Sequence, residues 1–123
     1  MLKLKTEISP KCGDALYRDI KVYIQKKPTI ICKGLNRRRV LLIKYLDATH
    51  GRIDKTRRRQ KFRAGVELIQ KATATDMTNQ IIEPSGDRAF EFKGTTPSGK
   101  IVTVHIREEI EDKDRRLYLI STF

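Results

Sequence analysis

Apolar and polar positions alternate at both ends of the chain, and between them apolar positions recur at helical spacing. Leu2, Leu4 and Thr6 alternate with Lys3, Lys5 and Glu7, which predicts a short half-buried strand closed by Ser9-Pro10. Over residues 14–27, Leu16, Ile20, Tyr23 and Ile24 fit a helix behind an Asp14 cap, while Ile20, Val22 and Ile24 fit a strand; the balance leans to helix. Pro28 breaks that element, residues 29–32 read as extended, and Gly34 turns the chain. The apolar block 40–46 suits a buried strand or the inner turns of a helix, and periodicity does not choose between them.

The clearest helix runs from residue 53 or 54 to about 74, where Phe62, Val66, Ile69 and Ala72 form one stripe without proline. Beyond it, Phe90 and Phe92 alternate with Glu91 and Lys93. After the turn 95–99, Val102, Val104 and Ile106 alternate with Thr103, His105 and Arg107. A charged turn at 111–114 leads to a last strand that sets Leu117, Leu119 and Ser121 against Tyr118, Ile120 and Thr122. The expected fold is α+β and two-layered, with N-terminal helices packed on one face of a C-terminal antiparallel β-meander.

A chain of 123 residues suits a single domain over residues 1–123, with 1–44 an N-terminal extension of unclear role and 45–123 a helix plus antiparallel sheet. No apolar stretch reaches the length of a membrane span and no secretory h-region opens the chain, so a cytoplasmic protein without a membrane partner is expected. Cys12 and Cys32 stand alone, which argues for two reduced thiols and no zinc site. No metal or cofactor is expected, because nucleotide-binding, metalloprotease and serine-hydrolase motifs are all missing.

Charge changes the picture. Residues 1–71 hold 20 Lys+Arg against 6 Asp+Glu, a net of +14, while residues 72–123 hold 7 against 9, a net of −2. The densest runs are Arg37, Arg38 and Arg39, and then Arg52, Lys55, Arg57, Arg58, Arg59, Lys61 and Arg63, which face one acid, Asp54. A solvated helix face is the plain reading of such a run. The arginine fork, however, binds phosphate oxygens in pairs, so nucleic acid, RNA above all, ranks ahead of an acidic protein or a membrane surface as the partner.

On the polar face of the meander, His105 and Arg107 are two residues apart on one strand, about 7 Å between side-chain origins, with Tyr118 and Thr122 across from them and Glu91 and Lys93 on the preceding strand. Metal-independent RNA cleavage needs this chemistry: a base for the 2′-hydroxyl, an acid for the leaving oxygen, and a fixed cation. His105 suits base or acid, Arg107 a phosphate clamp, and Glu91 or Glu109 a second proton carrier. The alternative is a histidine that is merely exposed on a soluble strand. His50 is open in the same way, as a residue at the start of the basic helix or as a second imidazole.

The segments Thr49-His50-Gly51-Arg52-Ile53, Arg88-Ala89-Phe90-Glu91-Phe92, Val102 to Glu109, and the closing Leu117 to Phe123 together resemble the small phage-associated nuclease domains of the barnase/EndoU/colicin/RelE-like superfamily, over roughly residues 45–123. The resemblance implies helices followed by an antiparallel sheet and metal-free RNA cleavage. It also implies roles for His50, for Arg52 or Lys55 beside it, and for the hydroxyl of Ser121 or Thr122. A toxin-like endoribonuclease is expected, with a small acidic antitoxin or immunity protein as a further partner. The rivals are a nucleic-acid-binding module without catalysis, using the Arg-rich helix and a sheet platform, and a structural protein docked on an acidic one.

Overall fold

The segment 14–27, whose pattern leans to helix over strand, is a helix in the computed structural model, which describes all 123 residues. It runs Gly13–Lys26 (α1), with Leu16 and Ile20 buried, Asp14 in its first turn and Lys26 in its last, an order that suits the helix dipole. The residue before its first turn is Cys12, with no side-chain cap, so Asp14 lies inside the helix and is not its cap. Ahead of it is a short strand, Leu2–Lys3 (β1).

After Pro28 the chain forms a hairpin, Thr29–Cys32 (β2) and Arg38–Leu41 (β3), closed by a 3-10 turn with Asn36 and Arg37 at φ 57° and 59°. Three helices follow: Tyr45–His50 (α2), Lys55–Gln60 (α3) and Phe62–Lys71 (α4). The apolar block 40–46 therefore divides between the end of β3 and the start of α2. Four strands complete the fold: Met77–Ile82 (β4), Arg88–Thr95 (β5), Ile101–Glu108 (β6) and Leu117–Thr122 (β7).

The structure is α+β, but the sheet is mixed rather than an antiparallel meander. Its order is β1-β5-β6-β7-β3-β2, with β4 also paired to β5; β1 runs parallel to β5 and β3 parallel to β7. The meander β5-β6-β7 is present at its centre. What enlarges it is β4 on one side and the N-terminal β1, β2 and β3, which join through parallel pairing of distant segments, and such pairing is not announced by the alternation within either strand. Leu16, Ile20, Ile30, Cys32, Val40 and Leu42 of residues 1–44 belong to the same core as Phe62, Phe92, Val104 and Leu119.

The expected continuous helix over 54–74 is two helices meeting at Lys61. The Lys61 amide bonds to the Arg58 carbonyl, a tightened last turn, and the Lys61 carbonyl accepts from Gly65, the first bond of the next helix. The break leaves Arg57 of α3 exposed, with Arg58 half-buried and Arg59 buried, while Phe62, Val66 and Ile69 of α4 enter the core. Helix α4 packs on β2, β5 and β6, and Gly65 makes the approach to the sheet close: a Cβ there would lie 2.6 Å from Thr122 and 3.1 Å from Val104.

Candidate functional site

Val102, Val104 and Ile106 of β6 are fully buried, whereas His105 and Arg107 between them are half-buried on the other side of the strand. His105 stands opposite Glu91 in the β5–β6 register. Its Nδ1 lies 3.4 Å from Glu91 Oε2, and its Nε2 lies 3.6 Å from Glu83 Oε1. Both ring nitrogens thus face carboxylates, and the ring keeps about 20% of its surface open.

The other side of His105 is shaped by a bulge. The pairing of β6 with β7 slips between His105 and Ile106, so Leu119 faces Ile106, Ser121 faces His105 and Thr122 faces Val104. One extra residue, Ile120, exchanges the sides on which Ser121 and Thr122 are expected from simple alternation. Ser121 therefore joins His105, and its Oγ accepts a 2.6 Å hydrogen bond from Arg58 of α3. Thr122 is 0% exposed. Its hydroxyl donates to the Arg58 carbonyl at 2.6 Å and lies 2.7 Å from the Tyr45 hydroxyl, so it is a core residue and not part of the polar face. Burial raises the Tyr45 phenol well above its ordinary range, against the hydrogen bond with Thr122.

Arg107 and Tyr118 are also engaged. The Arg107 guanidinium lies 3.9 Å from Asp87 and 3.5 Å from Glu109, and its buried Nε has no hydrogen-bond partner. A phosphate would have to displace those carboxylates, so Arg107 is not a free clamp. Tyr118, 5% exposed, donates its hydroxyl to Asp112 at 2.7 Å while the Lys44 ammonium covers its ring at 4.0 Å. Hydrogen bonding to the Asp112 carboxylate, with burial second, pushes the phenol up; the same bond, against the opposing effect of burial, holds Asp112 below the usual carboxylate range. Tyr118 fastens the 111–116 turn and offers no stacking platform.

His50 is exposed at the end of α2 and lines a separate groove of about 360 Å³ with Asp14 and Tyr17 of α1 and Lys55, Thr56 and Arg59 of α3. The polar contacts of His105 are with Glu91 and Glu83, and neither lines this groove. The cationic residues divide by what they touch. Arg38 pairs with Glu108 at 2.6 Å and donates to the Arg115 carbonyl. Arg58 binds Asp54 and Ser121, and Arg59, only 8% exposed, donates to Thr49 and the Leu46 carbonyl. Arg63 lies over the Tyr23 ring and 3.4 Å from Asp19. Arg37, Arg39, Arg52 and Arg57 are exposed to solvent, and Lys55 is half-exposed.

Sequence reasoning missed Glu83, Asp87 and Asp112, which neutralise the polar face, and Lys100, which joins the cationic surface of α3 from the β5–β6 turn. Only the Glu83-Pro84 and Asp112 turn positions carry a hint, since turn carboxylates fold back on neighbouring strands. No group of three or more His, Cys, Asp and Glu side chains converges as a metal site requires, and both cysteines are free, Cys12 exposed and Cys32 buried. No helix is long and apolar enough to cross a membrane. No family model matches the chain, and neither a curated protein nor a solved structure matches it.

Proposed function

We propose that the chain is a metal-independent, toxin-like endoribonuclease that holds RNA on α3 and cleaves it on the face of β5, β6 and β7 that carries His105. This reading takes the helices to cover the opposite face, as a two-layer arrangement requires. The observation that supports it best is the Glu91–His105 pair standing beside Ser121, to which Arg58 of the cationic helix extends its guanidinium. Arg58 takes the clamp role expected of Arg107, because Arg107 lies between two carboxylates, Asp87 and Glu109, whereas Arg58 has a single acid, Asp54, on its Nε and aims the end of its guanidinium at Ser121 beside His105.

In this scheme the Glu91 carboxylate removes the 2′-hydroxyl proton, the 2′-oxygen bonds to phosphorus, and the phosphorus–5′-oxygen bond breaks. The protonated imidazole of His105 gives its proton to that leaving oxygen. Arg58 stabilises the charge on the phosphorane. The products are a 2′,3′-cyclic phosphate and a 5′-hydroxyl. His50 lies outside this centre and serves RNA binding beside Lys55, and a small acidic antitoxin or immunity protein would cover the same cations.

A non-catalytic RNA-binding module is the second reading, favoured by Glu83 standing against the remaining nitrogen of His105. One assay separates the two. Incubation of the protein with RNA in EDTA yields cyclic-phosphate ends under the first reading, and His105→Ala abolishes them without altering the fold. Under the second, RNA is shifted in a gel and stays intact.

A further inference from the structure

Helix α3 carries cations on opposite flanks: Lys55 and Arg59 line the His50 groove, whereas Arg57 and Lys61, one helical turn apart, line a larger cleft on the other side. This second cleft, of about 650 Å³, lies between α3 and the β5–β6 turn and is lined by Ile8, Arg57, Gln60, Lys61, Gly99, Lys100 and Ile101. Three cations and no carboxylate line it. Glu7, next to Ile8 in the chain, does not line it; its carboxylate accepts hydrogen bonds from the Ser98 amide and hydroxyl and from the Ile8 amide.

Like charges brought together without a counterion are unfavourable, and Lys61 registers this. Burial, then Arg57 and Lys100, hold its pKa below the usual lysine range, and its ammonium turns to the Ile101 carbonyl at 3.1 Å. The walls are not only charged. Ile101 is 50% exposed at the rim, Ile8 lies beside it, and the backbone at Gly99 is open, with nothing within 4 Å of where a Cβ would stand. A single strand of nucleic acid is held by cations along its phosphates, and here Ile8 and Ile101 beside them offer its sugars and bases apolar contact, without an aromatic ring to stack on.

We infer that the cleft between α3 and the β5–β6 turn is a phosphate-backbone site for single-stranded RNA, held by Arg57, Lys61 and Lys100. The inference rests on the reading of the chain as an RNA-binding nuclease and adds to the His50 and Lys55 contacts a second stretch of the strand's path, on the opposite flank of α3.

The test is fluorescence anisotropy with a labelled 2′-O-methyl RNA oligonucleotide, which binds but lacks the attacking hydroxyl, measured over a range of KCl concentrations. Each phosphate contact on a single strand contributes about 0.7 to the slope of log affinity against log salt, so Arg57→Gln/Lys61→Gln/Lys100→Gln flattens the slope by about 2. Arg57→Gln/Lys100→Gln flattens it by about 1.4 and leaves the Lys61 hydrogen bond intact, which keeps the test valid if the triple variant does not fold. Lys21→Gln/Lys26→Gln, on α1, is the control and flattens it less than either. If the wild-type protein binds RNA and the folded double variant keeps its slope, the cleft is not the site, although the functional reading stands. If the wild-type protein binds no RNA, that reading fails and the inference with it. Binding of polyglutamate as tight as that of RNA, lost in the same variants, overturns the inference in favour of an acidic protein.

Discussion

Glu91 and His105 occupy facing positions of the β5–β6 ladder, with Oε2 3.4 Å from Nδ1. If they share the proton transfers, Glu91→Gln keeps the size and much of the hydrogen bonding but removes the base, and cleavage falls by about 10²- to 10⁴-fold. Glu83→Gln acts differently. It removes a charge that competes with phosphate for Nε2, so cleavage is kept or rises. Initial rates on a fluorogenic RNA substrate, with melting temperatures beside them, check both. Equal losses in the two variants would mean that the carboxylates only hold the ring.

Arg58 links the helix to the sheet face through its 2.6 Å bond to Ser121, while a 2.8 Å bond to Asp54 at the start of α3 holds its Nε. A lysine keeps the charge but loses the planar fork, so Arg58→Lys lowers kcat by about 10- to 100-fold with a smaller change in KM, as a group acting in the transition state requires. A change confined to KM would place Arg58 in RNA binding alone.

Gly65 is where α4 comes down on the sheet, with room for a Cβ only 2.6 Å from Thr122 Cγ2 and 3.1 Å from Val104 Cγ1. Both neighbours are β-branched and fully buried, and neither moves aside cheaply. Gly65→Ala gains helix propensity, about 1 kcal/mol, but overpacks this contact by more, for a net loss of about 1–2 kcal/mol in urea unfolding. A stabilised Gly65→Ala protein would show that α4 can lift off the sheet.

Thr122 belongs to a buried chain of hydrogen bonds. Its hydroxyl donates to the Arg58 carbonyl, which leaves it to accept from Tyr45. Thr122→Val keeps the shape and deletes both bonds, at a cost of about 1–3 kcal/mol, while Thr122→Ser retains the hydroxyl and loses less. Calorimetry on the two variants measures the difference. If Thr122→Val abolished cleavage at unchanged stability, Thr122 would be chemical rather than structural.

The features legible in the sequence are those with a local period. The Phe62, Val66, Ile69, Ala72 stripe is buried throughout, and Val102, Val104 and Ile106 all face the core. Features that depend on distant chain were not legible. Strand β4 is exposed along most of its length, so Thr78 to Ile82 show no alternation, and the parallel pairs β1–β5 and β3–β7 have no sequence signature. The single extra residue at Ile120 moves Ser121 to one side of the sheet and Thr122 to the other, which no periodicity could announce. The candidate site follows the same rule. The facing of Glu91 and His105 follows from hairpin register, and so does the neutralisation of Arg107, since Asp87 lies two residues before Ala89, which faces it; the approach of Glu83 to the other ring nitrogen depends instead on how the β4–β5 turn folds.

Acid sensitivity should concentrate on Glu67, the one carboxylate carried by α4. It is 8% exposed and accepts hydrogen bonds from the Lys5 and Thr6 amides and from Lys71, tying the N-terminal segment to the helix. Burial alone would raise its pKa, but the bonds from Lys71, Lys5 and Thr6 outweigh this and lower it to about 2. An unfolded glutamate titrates near 4.3, so the folded state holds this proton less tightly than the unfolded state does. The contribution is therefore complete above about pH 5 and drains away as pH falls through about 4 towards 2. With allowance for solvent screening it amounts to roughly 2 kcal/mol. Urea unfolding of wild type and Glu67→Gln at a series of pH values measures it: the two curves stand apart at pH 7 and converge near pH 2. Parallel curves over that whole range would show that Glu67 is not the acid-labile tie between the N-terminal segment and α4.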